Sequence, residues 1–197
     1  MATDEWISQR TGIRQRYIAH TSTETSDLTA IAATEALNRA QLSHQEIDLI
    51  IVATSTPDYT FPSTAMLVRE KLESRAPAFD LSAACSGCVY ALSVSSQMMK
   101  SGAYKNVLVI GADKLSKLVD WNDRNTAVLF GDGAGAVVLQ SRPNTFPCYS
   151  LLGPEYTGVE LLQSPVEGPI TMHGREVFKF GVRIIENAGF ATPTLAY

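Results

Sequence analysis

The run Asp48 to Ser55 (DLIIVATS) is the feature that most restricts the fold of this chain. It is continuously apolar and rich in β-branched residues, which is typical of a strand covered on both faces. A strand of this kind needs helices above and below it. Apolar runs at Pro77 to Leu81 and Asn106 to Ile110 predict two more strands. The sequence therefore predicts a layered α/β domain.

Helical patterns alternate with these strands. Ser26 to Ala40 has a polar start followed by apolar residues at helical spacing. Pro62 fits the first turn of a second helix that runs to about Ser74, and Cys85 to Lys100 is predicted as a third helix. Because strands that alternate with helices are joined by right-handed crossovers, we expect a mixed, mostly parallel sheet in an α/β/α arrangement.

A glycine-rich run, Gly131 to Gly135, lies further along the chain. We interpret it as a tight connection between two more strands, Thr126 to Phe130 and Ala136 to Gln140. The run lacks G-x-G-x-x-G spacing and a Lys-Ser/Thr ending, so it does not indicate a nucleotide-phosphate loop.

The chain divides at about residue 140. Residues 1–140 carry the predicted layers, whereas Ser141 to Gly168 is rich in Pro, Gly and polar residues and is interpreted as a linker or irregular segment. Helical periodicity returns at Glu176 to Asn187, and Phe190 to Tyr197 is expected to be an unstructured end. We therefore predict two parts, 1–140 and 141–197.

Composition excludes several classes of function. A net charge of −4 argues against general binding of nucleic acid, and no apolar run approaches the ~20 residues of a membrane span. Three cysteines form no disulfide framework, and the three histidines show no metal-ligand spacing with them. The amino terminus has no secretory pattern, so we expect a cytosolic protein without a metal.

Cys85 is the strongest candidate for chemistry. It lies in the word Ala83-Ala84-Cys85-Ser86-Gly87, where a buried strand gives way to a helix. Amide groups and the positive dipole end at a helix start stabilise a thiolate, and small neighbours let a thioester approach the sulfur. Taken alone, the same pattern also fits an inert cysteine buried under a helix. The C-x-x-C spacing of Cys85 and Cys88 leaves a thiol redox pair as a further alternative.

Several words occur along the chain in the order that they have in beta-ketoacyl-acyl-carrier-protein synthase III, which the chain resembles from about Asp4 to Asn187. They are Asp4-Glu5-Trp6-Ile7, Arg10-Thr11-Gly12-Ile13, Phe61-Pro62-Ser63, Ala83-Ala84-Cys85-Ser86-Gly87, Asp120-Trp121, Asp123-Arg124, Phe130-Gly131-Asp132-Gly133-Ala134-Gly135-Ala136 and Met172-His173-Gly174-Arg175-Glu176-Val177-Phe178.

This resemblance implies a thiolase-like fold and an acyltransferase of fatty acid biosynthesis. Cys85 would take an acyl group from acyl-CoA, which is a substrate rather than a cofactor, and then condense it with malonyl-acyl carrier protein. Trp6, Arg10 and Arg124 match positions that bind coenzyme A, and an aromatic face with cations suits a purine and phosphates. Phe61 matches a residue that lines the acyl pocket of the partner in a homodimer. Without the resemblance, these four residues would be assigned to anchoring, solvated charge or core.

The family also uses a His in a His-Gln-Ala-Asn word and an Asn in a Gly-Asn-Thr/Ser word, and neither word is found in this sequence. His44-Gln45 is followed by Glu46 and Ile47, and we interpret it as a solvated loop. We therefore expect a truncated, incomplete half-fold that lacks the family's first strand. Three hypotheses follow: a condensing enzyme centred on Cys85, a non-catalytic fragment that acts as an interaction partner, and a thiol redox protein.

Overall fold

The computed structural model describes residues 2–143, 150, 152–153 and 157–191, with side chains up to residue 186. The chain forms two compact units. The sheet unit comprises residues 17–115 and 131–150, and the terminal unit comprises residues 1–16, 116–130 and 151–197. Neither unit is a continuous segment, and the predicted division at residue 140 stays a prediction.

Six α-helices and six strands are present in the described residues. The helices are α1 (Asp4–Thr11), α2 (Thr25–Ala40), α3 (Thr64–Lys71), α4 (Gly87–Lys100), α5 (Arg124–Ala127) and α6 (Gly174–Ala191). The strands are β1 (Leu49–Ala53), β2 (Ala78–Leu81), β3 (Asn106–Lys114), β4 (Asp132–Gln140), β5 (Leu162–Gln163) and β6 (Thr171–Met172). None of the described helices is long and apolar enough to cross a lipid bilayer.

The sheet unit contains a four-stranded sheet in the order β2-β1-β3-β4. β1 is parallel to β2 and to β3, with Ile50 opposite both Ala78 and Leu108. β4 runs antiparallel to β3 at one edge, and within the described residues its other side pairs with no strand. The expected mixed, mostly parallel sheet is therefore confirmed.

The two faces of β1 explain the three layers of the sheet unit. Side chains of a strand alternate between faces, so Ile50 and Val52 point to one side and Leu49 and Ile51 to the other. The first pair packs with buried residues of α2 and α3, and the second pair packs with Ala91 of α4. Helices therefore cover both sides of the sheet, and the predicted α/β class is confirmed.

The predicted second and third helices begin later than expected. Ser63 is the N-cap of α3 and accepts a hydrogen bond from the Met66 amide at 3.3 Å, so Pro62 lies before the first turn. Cys85 lies in a 3₁₀ turn, Ala84–Ser86, that precedes α4. In both places the first residues that the apolar pattern assigned to the helix precede it: Ser63 caps α3, and Cys85 belongs to the turn before α4.

The interpretation of Gly131 to Gly135 as a tight connection is wrong. Gly133 and Gly135 lie inside β4, opposite Asp113 and Gly111 of β3. The strand predicted at Thr126 to Phe130 is also absent, because the segment starts within α5. The Asp123 carboxylate accepts hydrogen bonds from the Asn125 amide and the Thr126 hydroxyl at 2.9 and 3.2 Å, which starts a helix where β-propensity alone favours a strand.

The terminal unit holds α1, α5, α6 and the two-stranded sheet of β5 and β6. α6 contains the predicted helix and extends it at both ends. The expected unstructured end is wrong for Phe190 and Ala191, which belong to α6, and its remaining part, 192–197, lies outside the described residues. α1 was not predicted, although Thr3 caps it, Asp4 and Glu5 occupy its first turn and Gly12 ends it.

Lys114 is a buried cation at the end of β3, with 5% of its surface exposed. Its ammonium donates hydrogen bonds to the backbone carbonyls of His20, Thr21 and Thr23 at 3.2, 3.4 and 2.6 Å. Three carbonyl dipoles replace the water that the charge loses on burial. Lys114 thus holds the segment that leads into α2.

Ile50 tests the packing of β1, because it is fully buried between α2, α3 and the sheet. Ile50→Ala should lower the free energy of unfolding by ~2–5 kcal/mol through lost burial and a residual cavity. Ile31→Ala is the matched control, since Ile31 is 67% exposed on α2, and it should change stability by less than ~0.5 kcal/mol. Urea unfolding followed by circular dichroism measures both. Equal effects of the two substitutions would contradict the assigned core.

The ion pair of Asp27 on α2 with Lys71 on α3, 2.7 Å apart, predicts a pH dependence of stability. The hydrogen bond from Lys71, followed by the Glu24 amide, lowers the pKa of Asp27. Ionised Asp27 therefore stabilises the fold above its unfolded pKa, and this contribution is lost as pH falls through the lower, folded pKa. The hydrogen bond to Asp27 raises the pKa of Lys71, so the contribution of Lys71 is lost only as pH rises through that raised value.

Asp27→Asn should accordingly reduce stability at neutral pH, and the difference from wild type should shrink as pH falls below ~4. Urea unfolding at a series of pH values measures this difference. Glu35→Gln, at an exposed pair within α2, is the control and should have a smaller effect. A deficit of Asp27→Asn that is equally large in acid would show that the ion pair is not its cause.

Candidate functional site

Cys85 lies where the parallel strands of the sheet end. β2 ends at Leu81, opposite Ala53 at the end of β1, and the 3₁₀ turn Ala84–Ser86 follows three residues later. Ala84 has a φ of 43°, a left-handed conformation that costs a non-glycine residue ~1–2 kcal/mol. Open α/β sheets bind ligands outside the carboxyl ends of their strands. The strained turn thus presents Cys85 in the region where such sheets hold substrates.

The start of α4 adjoins this cysteine. Ser86 is the N-cap of α4 and its side chain makes no capping hydrogen bond, whereas the amide of Gly87 donates to the carbonyl of Ala84 in the preceding turn. Gly87 allows α4 to approach β1 closely, because a Cβ at Gly87 would lie 3.1 Å from the Cβ of Ala53. Close packing of α4 on β1 therefore fixes the helix start beside the exposed sulfur of Cys85.

A cavity of about 390 Å³ contains Cys85 in its wall. The wall is made by the ends of β1 and β3, the turn before α4, and the start of β4. Its residues are Ala53, Ala84, Cys85, Cys88, Gly111, Ala112, Asp113, Gly131, Asp132, Gly133, Ala134 and Gly135. Glycine and alanine dominate, so the wall leaves room for a ligand beside the sulfur. Cys88, which is also exposed, shares this wall.

Two carboxylates lie in the same wall. Asp113 accepts hydrogen bonds from the Ser55 amide at 2.7 Å and from the hydroxyls of Thr54 and Thr56 at 3.3 Å, and Asp132 accepts one from the Ala19 amide at 2.8 Å. These bonds hold the loops around the cavity. No Lys or Arg is among the described lining residues. The described wall therefore offers Cys85 no cationic side chain.

The terminal unit brings together three of the residues that the sequence singled out. The guanidinium carbon of Arg10 lies 4.4 Å from the centroid of the Trp6 ring, and that of Arg124 lies 5.6 Å from the same centroid. Both are within cation–π range. Arg10 follows Trp6 by one turn of α1, and Arg124 is the first residue of α5. Two short helices thus place two cations against one indole.

These residues line a second cavity, of about 650 Å³, whose volume is within the usual range for small-molecule sites. The wall is mostly apolar and none of its described residues carries a carboxylate. Its residues are Trp6, Arg10, Thr11, Ile13, Arg124, Asn125, Val128, Leu129, Met172, Gly174, Arg175, Val177 and Phe178. An indole, apolar side chains and three arginines suit a ligand with a flat ring and anionic groups.

Arg175 and Phe178 join this site without having been assigned to it from the sequence. Both lie on α6, and the ring of Phe178 is 71% exposed. Within the described residues, Arg175 forms no ion pair. The signal that could have identified them is the word Met172 to Phe178, which was used for the resemblance but not for the site.

Phe61 is placed elsewhere. It lies in the sheet unit before α3, its peptide bond to Pro62 is cis, and 82% of its surface is exposed. It is not among the described residues that line the Cys85 cavity. A single exposed apolar ring is common on protein surfaces, so the exposure of Phe61 alone does not identify a contact surface. Among the described residues, no cluster of three His, Cys, Asp or Glu side chains could hold a metal ion.

The sequence of this chain is similar to those of known proteins. The sequence model of the family described as 3-oxoacyl-[acyl-carrier-protein (ACP)] synthase III matches residues 79–150, which contain Cys85 and the glycine-rich part of β4. A beta-ketoacyl-[acyl-carrier-protein] synthase III of Neisseria meningitidis is 49% identical over 207 residues, and one of Geobacillus kaustophilus is 49% identical over 197 residues. Each alignment covers 95% of this chain.

A solved structure shows the same fold. The crystal structure of 3-oxoacyl-[acyl-carrier-protein] synthase III from Aquifex aeolicus matches with a TM-score of 0.86 and 49% identity, covering 94% of this chain. The chain spans 65% of the length of the Neisseria relative, 63% of the Geobacillus relative and 60% of the Aquifex chain. The likeness therefore extends over nearly all of this chain and over less than two thirds of these relatives.

Proposed function

The chain belongs to the beta-ketoacyl-[acyl-carrier-protein] synthase III family, and we propose that it performs the first half of the condensing reaction, the transfer of an acyl group from coenzyme A to Cys85. The observation that carries the proposal is the exposed Cys85, in a wall of small residues beside the uncapped start of α4. Membership of the family supplies the acyltransferase class, and the geometry supports the choice of nucleophile.

The transfer proceeds by attack of the Cys85 thiolate on the thioester carbonyl of acyl-CoA. A bond forms between the Cys85 sulfur and the acyl carbon, and the bond from that carbon to the sulfur of coenzyme A breaks. Coenzyme A leaves as a thiolate and takes up a proton. The attacking species is the thiolate, and no metal or redox cofactor is required by this chemistry.

The second cavity is proposed to bind the nucleotide end of coenzyme A. Trp6 offers a flat face for adenine, while Arg10 and Arg124 offer charge-assisted hydrogen bonds to phosphates. Their arrangement around one indole supports this role, because it places two cations and a flat ring in the wall of one cavity, where a single ligand could contact all three. Arg175 and Phe178 extend the same surface.

The second half of the reaction is the decarboxylative condensation of malonyl-acyl carrier protein with the acyl group on Cys85. In the family, a His and an Asn donate hydrogen bonds to the malonyl thioester oxygen, and neither of their sequence words occurs among these 197 residues. Loss of one oxyanion donor costs ~10²–10³ in rate in a well-studied hydrolase. We therefore propose that the 197-residue chain accepts acyl groups and does not condense them by itself.

We propose a cytosolic protein that pairs with a second copy, with the exposed Phe61 entering the partner's acyl pocket. Residues 1–140 would form the amino-terminal half of the fold, and residues 141–197 would be the linker and the start of the second half. In the alternative, the chain is a non-catalytic interaction partner. It would use the same contact surface, and Cys85 would accept no acyl group.

Acylation of Cys85 is tested by intact mass spectrometry after incubation with acetyl-CoA. Wild type should gain one acetyl group, Cys85→Ala should gain none, and Cys88→Ser should still gain one, because the proposal assigns the nucleophile to Cys85 alone. Proteolysis and peptide mapping locate the adduct. An unmodified wild type, or an acetyl group that persists in Cys85→Ala, would refute acyl transfer by this residue and favour the non-catalytic alternative.

Binding of coenzyme A at the second cavity is tested by titration calorimetry. Trp6→Ala should weaken binding by about 10-fold to 100-fold, since stacking of a base on an aromatic ring is worth ~1–3 kcal/mol. Arg124→Ala should weaken it by a similar factor through loss of a charge-assisted hydrogen bond. Arg39→Ala removes the same charge from α2 in the sheet unit and is the matched control. If Arg39→Ala weakens binding equally, the effect of Arg124→Ala comes from general electrostatic attraction and not from a contact in the cavity.

A further inference from the structure

Cys88 is an exposed thiol that the proposed acyl transfer does not use. It follows Cys85 by three residues, and both cysteines lie in the wall of one cavity. Cys85 belongs to the 3₁₀ turn and Cys88 to the first turn of α4. Cys88 is exposed and borders the same space from which reagents reach Cys85.

The spacing allows the two sulfurs to bond. Residues three apart on a helix have Cβ atoms ~5–6 Å apart, and a disulfide needs ~3.5–4.5 Å between Cβ atoms with Cα atoms within ~7 Å. A local shift of ~1–2 Å therefore closes the gap. The turn that must shift is short, contains Ala84 at a φ of 43° and has no capping side chain at Ser86.

The surroundings of Cys88 leave space for this movement. Gly111 of β3 faces Cys88, and a Cβ built at Gly111 would lie 3.5 Å from the Cβ and 3.7 Å from the sulfur of Cys88. These are ordinary van der Waals distances, so one side of Cys88 packs near the backbone of β3. Its other side opens on the cavity of about 390 Å³ that Cys85 also lines, which leaves the side chain room to turn towards Cys85.

We propose that Cys88 is a resolving thiol that converts oxidised Cys85 into a reversible Cys85–Cys88 disulfide. The oxidant is a hydroperoxide. The Cys85 thiolate attacks the peroxide, the O–O bond breaks, and Cys85 becomes a sulfenic acid while one oxygen leaves as water or an alcohol. The Cys88 thiol then attacks the Cys85 sulfur, the S–O bond breaks and a second water leaves. A dithiol restores both thiols by exchange and is itself oxidised to a disulfide.

The disulfide would protect Cys85, which must be reactive to function, against irreversible oxidation. A sulfenic acid without a resolving thiol reacts with further peroxide to a sulfinic acid, which dithiols do not reduce. Formation of the disulfide requires only a reactive Cys85 and does not depend on acyl transfer. The two proposals therefore fail independently, because thiol labelling tests one and acetylation tests the other.

The experiment treats the full chain with hydrogen peroxide and counts free thiols by alkylation, before and after dithiothreitol. In wild type, Cys85 and Cys88 should both become unreactive and should both return after dithiothreitol, at the intact mass of a monomer less two hydrogens. Peptide mapping separates these thiols from Cys148, which lies outside the described residues. Circular dichroism confirms that each variant is folded.

Two variants give the matched comparison. In Cys88→Ser, Cys85 should form a sulfenic acid that is trapped by dimedone and then a sulfinic acid, so that recovery of free Cys85 is about tenfold lower than in wild type. In Cys85→Ser, Cys88 should stay reduced under the same treatment. The proposal is overturned if wild type and Cys88→Ser lose Cys85 irreversibly at the same rate, or if both thiols of wild type stay free.

Discussion

Burial of β1 on both faces is the constraint from which the rest of the sheet unit follows. Each residue of Leu49–Ala53 is 5% exposed or less, so apolar side chains must meet it from two directions. α2 and α3 supply one layer and α4 supplies the other. Because α4 can approach the end of β1 only through Gly87, the turn before it is held at the carboxyl ends of the strands. The position of Cys85 is thus a result of core packing.

The sequence predicted those parts of the fold in which burial sets the pattern. The alternation of apolar strands and amphipathic helices reports directly on layers, and β1, β2, α2 and the core of α4 were identified from it. Short elements set by single hydrogen bonds were missed or wrongly assigned. α1 depends on Thr3, α5 depends on Asp123, and the glycines of β4 suggested a turn because they lack the side chains by which strands are recognised. Periodicity carries no information about these contacts.

The candidate site was predictable in its residues and not in its geometry. Composition alone assigns Trp6, Arg10 and Arg124 to an anchor and solvated charges, and only the resemblance singled them out. Their gathering around one ring depends on two helices that periodicity did not predict. Arg175 and Phe178 were assigned to the site only because they line the cavity in the structure. Cys85 was identified from its small neighbours at the end of a strand. The left-handed conformation of Ala84 in its turn could not be predicted from the sequence.

One side of β4 pairs with no strand in the described part of the chain, and this affects how the chain behaves in solution. Between Gly133 and Leu139 the strand has no charged residue and no proline, and Val137 is 45% exposed. Soluble proteins usually protect such an edge with lysine, proline or a bulge, because its free amide and carbonyl groups template another strand. Two copies of the chain should therefore pair edge to edge along β4 in concentrated samples unless that row is occupied.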